Sequence, residues 1–375
     1  MKTGLAICNT PYQLLCLLRI IYCDYKEYTF DVIITDNITN YQELADGASK
    51  SGFFSKVFVA RSKDYAWGRG VRKKELIKDR LNAKRNPEKI LKKYISKEMM
   101  YDVFFFANIE NFTKLIYTAL VSKNSKIKSF LYEDGFGSYS NQNVQIYERF
   151  RSVKKFIYKA VDWKDLIFNI YGQYLFEPNM TEHELPVHNF KIKKIEYTEH
   201  EFINIINNVF NYDNMTDSYD RPIIFFEESL RVSGLDIDDV GLVKSISNIV
   251  GSEKIMIKQH PRSGGEAFIN EGYKVNNNTA IPWEVIVMNN ADIRNKLFVT
   301  IMSGAVTMPW LIMGIKTQAI ILLPLVKDRL KGKQWEQLVR FLENKIYTNS
   351  DQYLVIKTMK ELIVFFERWS KNNSK

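Results

Sequence analysis

Short apolar runs that stop at polar or proline-containing loops recur along the chain, and stretches of helical period separate them. Leu5 to Cys8 breaks at Asn9-Thr10-Pro11, after which Leu14, Leu15, Leu17, Leu18 and Ile21 recur at helical spacing. Thr10 is suited to cap that helix and Pro11 to occupy its first position. Further strands are expected at Phe30 to Thr35, Lys56 to Ala60, Asp102 to Ala107 and Ile127 to Tyr132, with helical patterns between most of them. From Tyr147 to Tyr174 an aromatic and basic stretch with Phe150, Phe156, Tyr158, Trp163 and Phe168 reads as an amphipathic helix. Beyond Pro178 a polar region runs through Asp217, with a weak helical pattern at Glu201 to Phe210. The second half resumes the alternation with strands at Ile223 to Phe226, Lys254 to Ile257, Leu297 to Met302 and Thr317 to Leu323. Helices fall at Asp238 to Val250 and near Trp283 to Met288. At the end Leu354, Met359, Leu362, Ile363, Phe366 and Trp369 form an apolar stripe that needs a core to cover it.

Strands alternating with helices predict parallel sheets. At 375 residues the chain exceeds the size at which one core stops growing, so two domains are expected. The fold class is α/β, with two Rossmann-like domains. Residues 1–175 form the first domain and 176–220 a crossover. Residues 221–350 form the second domain, and 351–375 an amphipathic helix whose spare stripe permits a homodimer.

A hydrophobic content of 46% makes a packed globular protein of this chain, while a formal charge of +10 draws attention to anionic partners. The excess is densest between Arg69 and Lys97, in Arg72, Lys73, Lys74, Lys78, Arg80, Lys84 and Arg85. That segment reads either as a solvated helical face or as a site for anionic lipid or polymer. Interleaved Glu75, Asp79 and Glu88 dilute it, and no nucleic-acid-binding signature accompanies it. No apolar run reaches eighteen residues and the N-terminal stretch enters a strand, so a cytoplasmic location is expected. Cys8, Cys16 and Cys23 lack metal-ligand spacing and read as free thiols.

Candidate chemistry gathers where apolar runs end, which in parallel sheets is where ligands bind. Ile255-Met-Ile-Lys-Gln-His-Pro-Arg262 delivers Lys258, His260 and Arg262 to a loop shaped by Pro261, an arrangement suited to an anionic ligand. Ile127 to Tyr132 ends in Glu133-Asp134-Gly135, where two adjacent carboxylates disfavour joint ionisation and make a base near neutrality available. Ser303-Gly304 opens a helix and offers a hydroxyl and free amides to a phosphate. Glu284 starts another helix, where it binds ribose hydroxyls or serves the helix dipole. Glu227 and Glu228 follow Ile223 to Phe226 and are expected to face the cleft or solvent. Asp236-Ile-Asp238 precedes a helix and reads as its cap rather than as a metal-binding pair, and no cluster has metal-ligand spacing.

Taken in order, Cys8-Asn-Thr-Pro-Tyr-Gln13, Glu133-Asp-Gly135, Lys258-x-His-Pro-Arg262, Pro282-x-Glu284 and Ser303 resemble bacterial sialyltransferases, most closely glycosyltransferase family 52, over residues 4 to about 325. The resemblance implies a GT-B architecture, in which the two Rossmann-like domains face a cleft, the first on the acceptor side and the second binding the nucleotide sugar. It implies an inverting, metal-independent transfer of sialic acid from CMP-sialic acid to a terminal sugar of capsule or lipooligosaccharide. It also implies a lipid-linked acceptor and hence peripheral attachment to the inner face of the membrane. By the same resemblance His260, as acid or as cation, acts on the departing phosphate. Ser303 holds that phosphate, Glu284 holds the ribose, and Thr10, Lys258, Pro261, Arg262 and Gly304 line the binding site. The base is Asp134, with Glu133 beside it, or else an acid of the second domain, Glu228, Asp236 or Asp238. Two other readings stay open: a transferase of this fold with another nucleotide sugar, and a non-catalytic polyanion binder.

Overall fold

The computed structural model describes residues 2–66, 73–95, 100–140, 156, 163–182, 185–213, 219–230, 234–263, 266–279, 281–348 and 351–373. Two compact units, Met1–Tyr212 and Asp213–Lys375, each carry one fully parallel sheet.

The first sheet comprises β1 (Lys2–Cys8), β2 (Tyr28–Thr35), β3 (Lys56–Ala60), β4 (Val103–Phe106), β5 (Lys128–Tyr132), β6 (Ile170–Leu175) and β7 (His188–Lys191), in the order β3-β2-β1-β4-β5-β6-β7. Its helices are α1 (Pro11–Asp24), α2 (Tyr41–Lys50), α3 (Lys73–Arg85), α4 (Pro87–Leu91), α5 (Asn111–Lys123) and α6 (His200–Phe210). Central β4 is buried at all four positions, as a strand covered on both faces requires. Each of its phenylalanines contributes on the order of 1.5–3 kcal/mol relative to an exposed ring. Ile7 pairs with Phe106, and Phe106 with Leu131, so the residues that follow β1, β4 and β5 emerge together at one edge.

The second sheet comprises β8 (Ile223–Phe226), β9 (Ile255–Lys258), β10 (Lys274–Asn276), β11 (Leu297–Thr300), β12 (Gln318–Ile321) and β13 (Tyr353–Val355), in the order β10-β9-β8-β11-β12-β13. Its helices are α7 (Asp239–Val250), α8 (Glu266–Asn270), α9 (Trp283–Asn289), α10 (Met308–Met313), α11 (Lys333–Phe341) and α12 (Met359–Asn372). Phe226 pairs with both Lys258 and Thr300, which sets the ends of β8, β9 and β11 level.

Two expectations are corrected and a third is met in part. The stretch read as one helix to Tyr174 ends instead in a 3-10 turn (Leu166–Phe168) and strand β6; its residues 147–155 and 157–162 lie outside the described residues. Gly172 lies so close to the Phe190 ring of β7 that the aromatic spacing there serves strand packing. The crossover expected at 176–220 belongs mostly to the first unit, because β7 completes its sheet and α6 packs on α2. The apolar stripe of α12 is covered in part within its own unit: Leu362 and Phe366 are fully buried and the helix packs on α7, while Leu354, Met359 and Ile363 stay exposed.

Arg19 fixes α6 to α1. Its guanidinium is fully buried, forms a two-pronged ion pair with Glu199 at 2.9 and 2.8 Å, donates to the carbonyls of Lys193 and Lys194, and lies 4.9 Å from the Phe202 ring centroid. Removing one partner of such a pair strands the other groups. Arg19→Ala is expected to destabilise the first unit by about 3 kcal/mol, the low end of the range for buried pairs because Glu199 can rehydrate. Urea unfolding followed by the fluorescence of this unit checks it, and a loss below about 1 kcal/mol, the worth of a surface pair, would refute it.

Candidate functional site

In the first unit the strand order reverses between β1 and β4, the topological switch point at which doubly wound sheets bind ligands. Beyond β5 the chain turns at Gly135, whose φ of 63° favours glycine, and Ser138 closes the turn by accepting from the Asp134 amide at 2.7 Å. The two adjacent acids part company here. Glu133 is wholly buried and accepts from the hydroxyl of Tyr12 at 2.6 Å, the amide of Phe176 at 2.8 Å and the hydroxyl of Tyr139. Burial pushes its carboxyl up to about 7, against the pull of those three donors. Expected among the catalytic groups, Glu133 is corrected to a brace that joins α1, β5 and the end of β6: no oxygen of it reaches solvent.

Asp134 is half-buried. It accepts from the Gln13 amide nitrogen at 2.7 Å and from Asn108, and burial raises its pKa against those two bonds. Gln13 is itself aimed by the Asn9 amide, which donates to its carbonyl oxygen at 2.7 Å, and Asn9 accepts from Thr35. Thr10 caps α1 by accepting from the Gln13 amide at 3.1 Å. Glu110 joins the group, its pKa raised by burial and then by the charge of Asp134, and opposed by a bond from Asn37. Asn108 and Glu110 were not expected from the sequence. Their signal is two alternate polar residues within four positions of the end of the apolar run Val103–Phe106, at the strand beside the switch point.

In the second unit the order reverses between β8 and β11. The loop after β9 is a turn closed by the Ser263 amide donating to the His260 carbonyl at 2.9 Å, with Pro261 at its second position, where a fixed φ is favourable. Glu227, almost wholly buried, braces it by accepting from the His260 amide at 3.2 Å and from the Ser263 hydroxyl. Gln259 donates to the Ser263 carbonyl. Glu227 therefore faces the loop rather than solvent, contrary to expectation; its oxygens are spent on the donors of the loop.

His260 is half-buried and its Nδ1 accepts from the Arg262 amide at 3.1 Å, which leaves the ring proton on Nε2. Burial, then the charges of Arg262 and Lys258, push its pKa down to about 4. Without a bound anion the imidazole is thus a neutral N–H donor at neutral pH. Lys258 is buried, with its ammonium 5.9 Å from the Trp283 ring centroid, and its charge reaches Glu284 on the first turn of α9. Burial raises the Glu284 pKa against its own amide and Lys258.

Glu228 spans the switch point, accepting from the Met302 amide at 3.1 Å and the Thr300 hydroxyl at 3.3 Å. Burial carries its pKa up to about 8 against those bonds. Asp238 caps α7 through the Gly241 amide at 2.8 Å, as expected. Ser303 receives no full helix: β11 ends at Thr300, and Gly304 begins a 3-10 turn (Gly304–Val306) that Ser303 caps at 3.4 Å. The Ser303 amide is held by Thr300 at 2.9 Å. Strand register thus gathers Glu228, Lys258, His260 and Ser303 at one sheet edge, and Asp134, Gln13 and Asn108 at the edge of the other sheet.

Comparison with known proteins fits a glycosyltransferase. Residues 4–320 match the family described as Alpha-2,8-polysialyltransferase (POLYST), and the chain belongs to that family. No curated protein sequence matches the chain. Among solved structures, a sialyltransferase from Photobacterium damsela superposes with a TM-score of 0.52 at 14% identity, covering 95% of this chain and 81% of the other. The spinosyn forosaminyltransferase SpnP superposes at 0.51 with 10% identity, covering 100% and 91%. These likenesses support the two-unit α/β fold of GT-B glycosyltransferases. The expected sialyltransferase resemblance holds at the level of sialyl transfer, under a family description other than family 52.

Proposed function

We propose that the chain transfers a sialyl group from CMP-sialic acid to a hydroxyl of a terminal sialic acid on a glycan, with inversion and without a metal ion. The observation that carries the reading is the braced loop of the second unit. A neutral His260 N–H, buried Lys258 and the Ser303 turn share one sheet edge there, a donor set suited to a leaving phosphate. In the reaction the acceptor oxygen attacks the anomeric carbon, the bond from that carbon to the CMP phosphate oxygen breaks, and the electron pair leaves with CMP. Asp134 takes the acceptor proton; Lys258, His260 and Ser303 hold the charge that grows on the phosphate. Glu284 receives ribose hydroxyls. The family description supports a sialic acid acceptor, and a repeating sialic acid polymer suits a capsule better than the single terminal cap of a lipooligosaccharide.

CMP, with one phosphate, needs less neutralisation than a UDP sugar's two, and the cations of the loop supply it without a metal. In EDTA, CMP is expected to raise the melting temperature ahead of UDP, GDP or dTDP, as ligand linkage requires. A larger shift with UDP plus manganese, and none with CMP, would favour the other reading, a transferase of this fold with another nucleotide sugar.

A further inference from the structure

Helix α3 (Lys73–Arg85) is amphipathic in an unusual sense. Its inner side is fixed: Leu76 and Ala83 are buried, Arg80 pairs with the buried Asp165 at 2.7 Å, and the guanidinium lies 4.9 Å from the Trp163 ring centroid. Because that side cannot rotate away, the other is held toward solvent, and it carries Ile77 at 53% and Leu81 at 39% exposure. Spaced by four, these two aliphatic side chains share one stripe, with exposed Lys74, Lys78 and Arg85 on the same turns. Exposed Lys89, Lys92 and Lys93 continue the positive charge through α4 and beyond, against exposed Glu75 and Glu88. Lone exposed aliphatics are ordinary; two of them in register, ringed by cations on a fixed helix face, need an occupant that is apolar below and anionic above.

We propose that this face of α3 docks on an anionic lipid bilayer, with Ile77 and Leu81 entering the headgroup boundary and the surrounding lysines and Arg85 meeting lipid phosphates. Charge complementarity selects the partner. A soluble polyanion would use the cations but leave both aliphatics in water, whereas a bilayer surface uses both. Among the described residues no helix is long and apolar enough to cross a membrane, so contact of this kind lies on the surface. The inference is independent of the transfer reaction, because α3 supplies none of the residues assigned to it.

The test is co-sedimentation of the full-length protein with vesicles of phosphatidylcholine alone and with added phosphatidylglycerol. Wild type is expected on the anionic vesicles only. Ile77→Ser/Leu81→Ser is expected to bind them roughly tenfold or more weakly, and Ile77→Trp/Leu81→Trp more tightly, both with unchanged melting temperature since the side chains are exposed. Lys74→Glu/Lys78→Glu is expected to bind more weakly and to lose the salt dependence. Equal binding by the serine variant and wild type would overturn the proposal. So would a heparin affinity that falls with the serine variant in step with vesicle binding, because the apolar pair would then serve a soluble polyanion.

Discussion

Replacing Asp134 with Asn is expected to lower kcat by about 10²- to 10⁴-fold, the usual worth of a general base, with little change in donor KM. The substitution keeps the shape that Gln13 and Asn108 bind but replaces the basic carboxylate that takes the acceptor proton with a non-basic amide. Its neighbour provides the control. Glu133→Gln puts an amide NH2 where the Tyr12, Tyr139 and Phe176 donors need an acceptor, which leaves a buried donor unmatched and costs about 1–3 kcal/mol of stability. Its effect on kcat should be far smaller than that of Asp134→Asn when both are assayed well below their melting temperatures. Full loss of kcat in Glu133→Gln, with an unchanged melting temperature and an active Asp134→Asn, would reverse the assignment of the two acids.

His260→Ala is expected to cost about 10²- to 10³-fold in kcat, the measured scale for a donor that meets developing negative charge. The titration of His260 gives a second readout. With its pKa down at about 4, the free imidazole stays neutral from pH 5 to 8 and adds no limb of its own to the kcat/KM profile there. A bound phosphate favours the imidazolium and lifts that pKa, so the complex holds more proton than the free protein. CMP affinity attributable to His260 must then rise as pH falls from about 7 toward 5. The phosphate of CMP titrates in the same window, so the quantity to compare is the pH slope of wild type minus that of His260→Ala. A difference of zero would show that His260 does not meet the phosphate.

The strands that alone carry enough apolar residues to be covered on both faces were legible in the sequence, and so was the edge strand β3. Lys56–Ala60 and Ile223–Phe226 fall where the pattern puts them, and β1, β2, β4, β5, β9, β11 and β12 lie within a few residues of it. The other three edge strands were not. His188–Lys191, Lys274–Asn276 and Tyr353–Val355 are edge or near-edge strands of three or four residues, and sheet pairing rather than their own hydrophobicity makes them strands. Ile170–Leu175 was hidden by aromatic spacing that suits a helix as well as a sheet packed against Phe190. For the site, the strand-end rule located the acids, the His-Pro loop and Ser303, because such residues are costly anywhere else in a parallel sheet. What it could not divide was labour within a pair. Glu133 from Asp134, and Glu227 from Glu228, differ in burial by the pleat and by partners as remote in sequence as Tyr12, Phe176 and Thr300. No local pattern encodes those partners.

Each of the two compact units is continuous along the chain, one ending at Tyr212 and the other starting at Asp213. Every strand of the first sheet, and the α6 helix that Arg19 fastens, is therefore made before any strand of the second. On a ribosome adding about 5–20 residues per second, the first unit has several seconds to close while the later strands are still being translated. Two parallel sheets rich in Val, Ile and Phe edges would otherwise be exposed at once and free to pair with each other's strands. Sequential emergence keeps the two sets of edges apart in time.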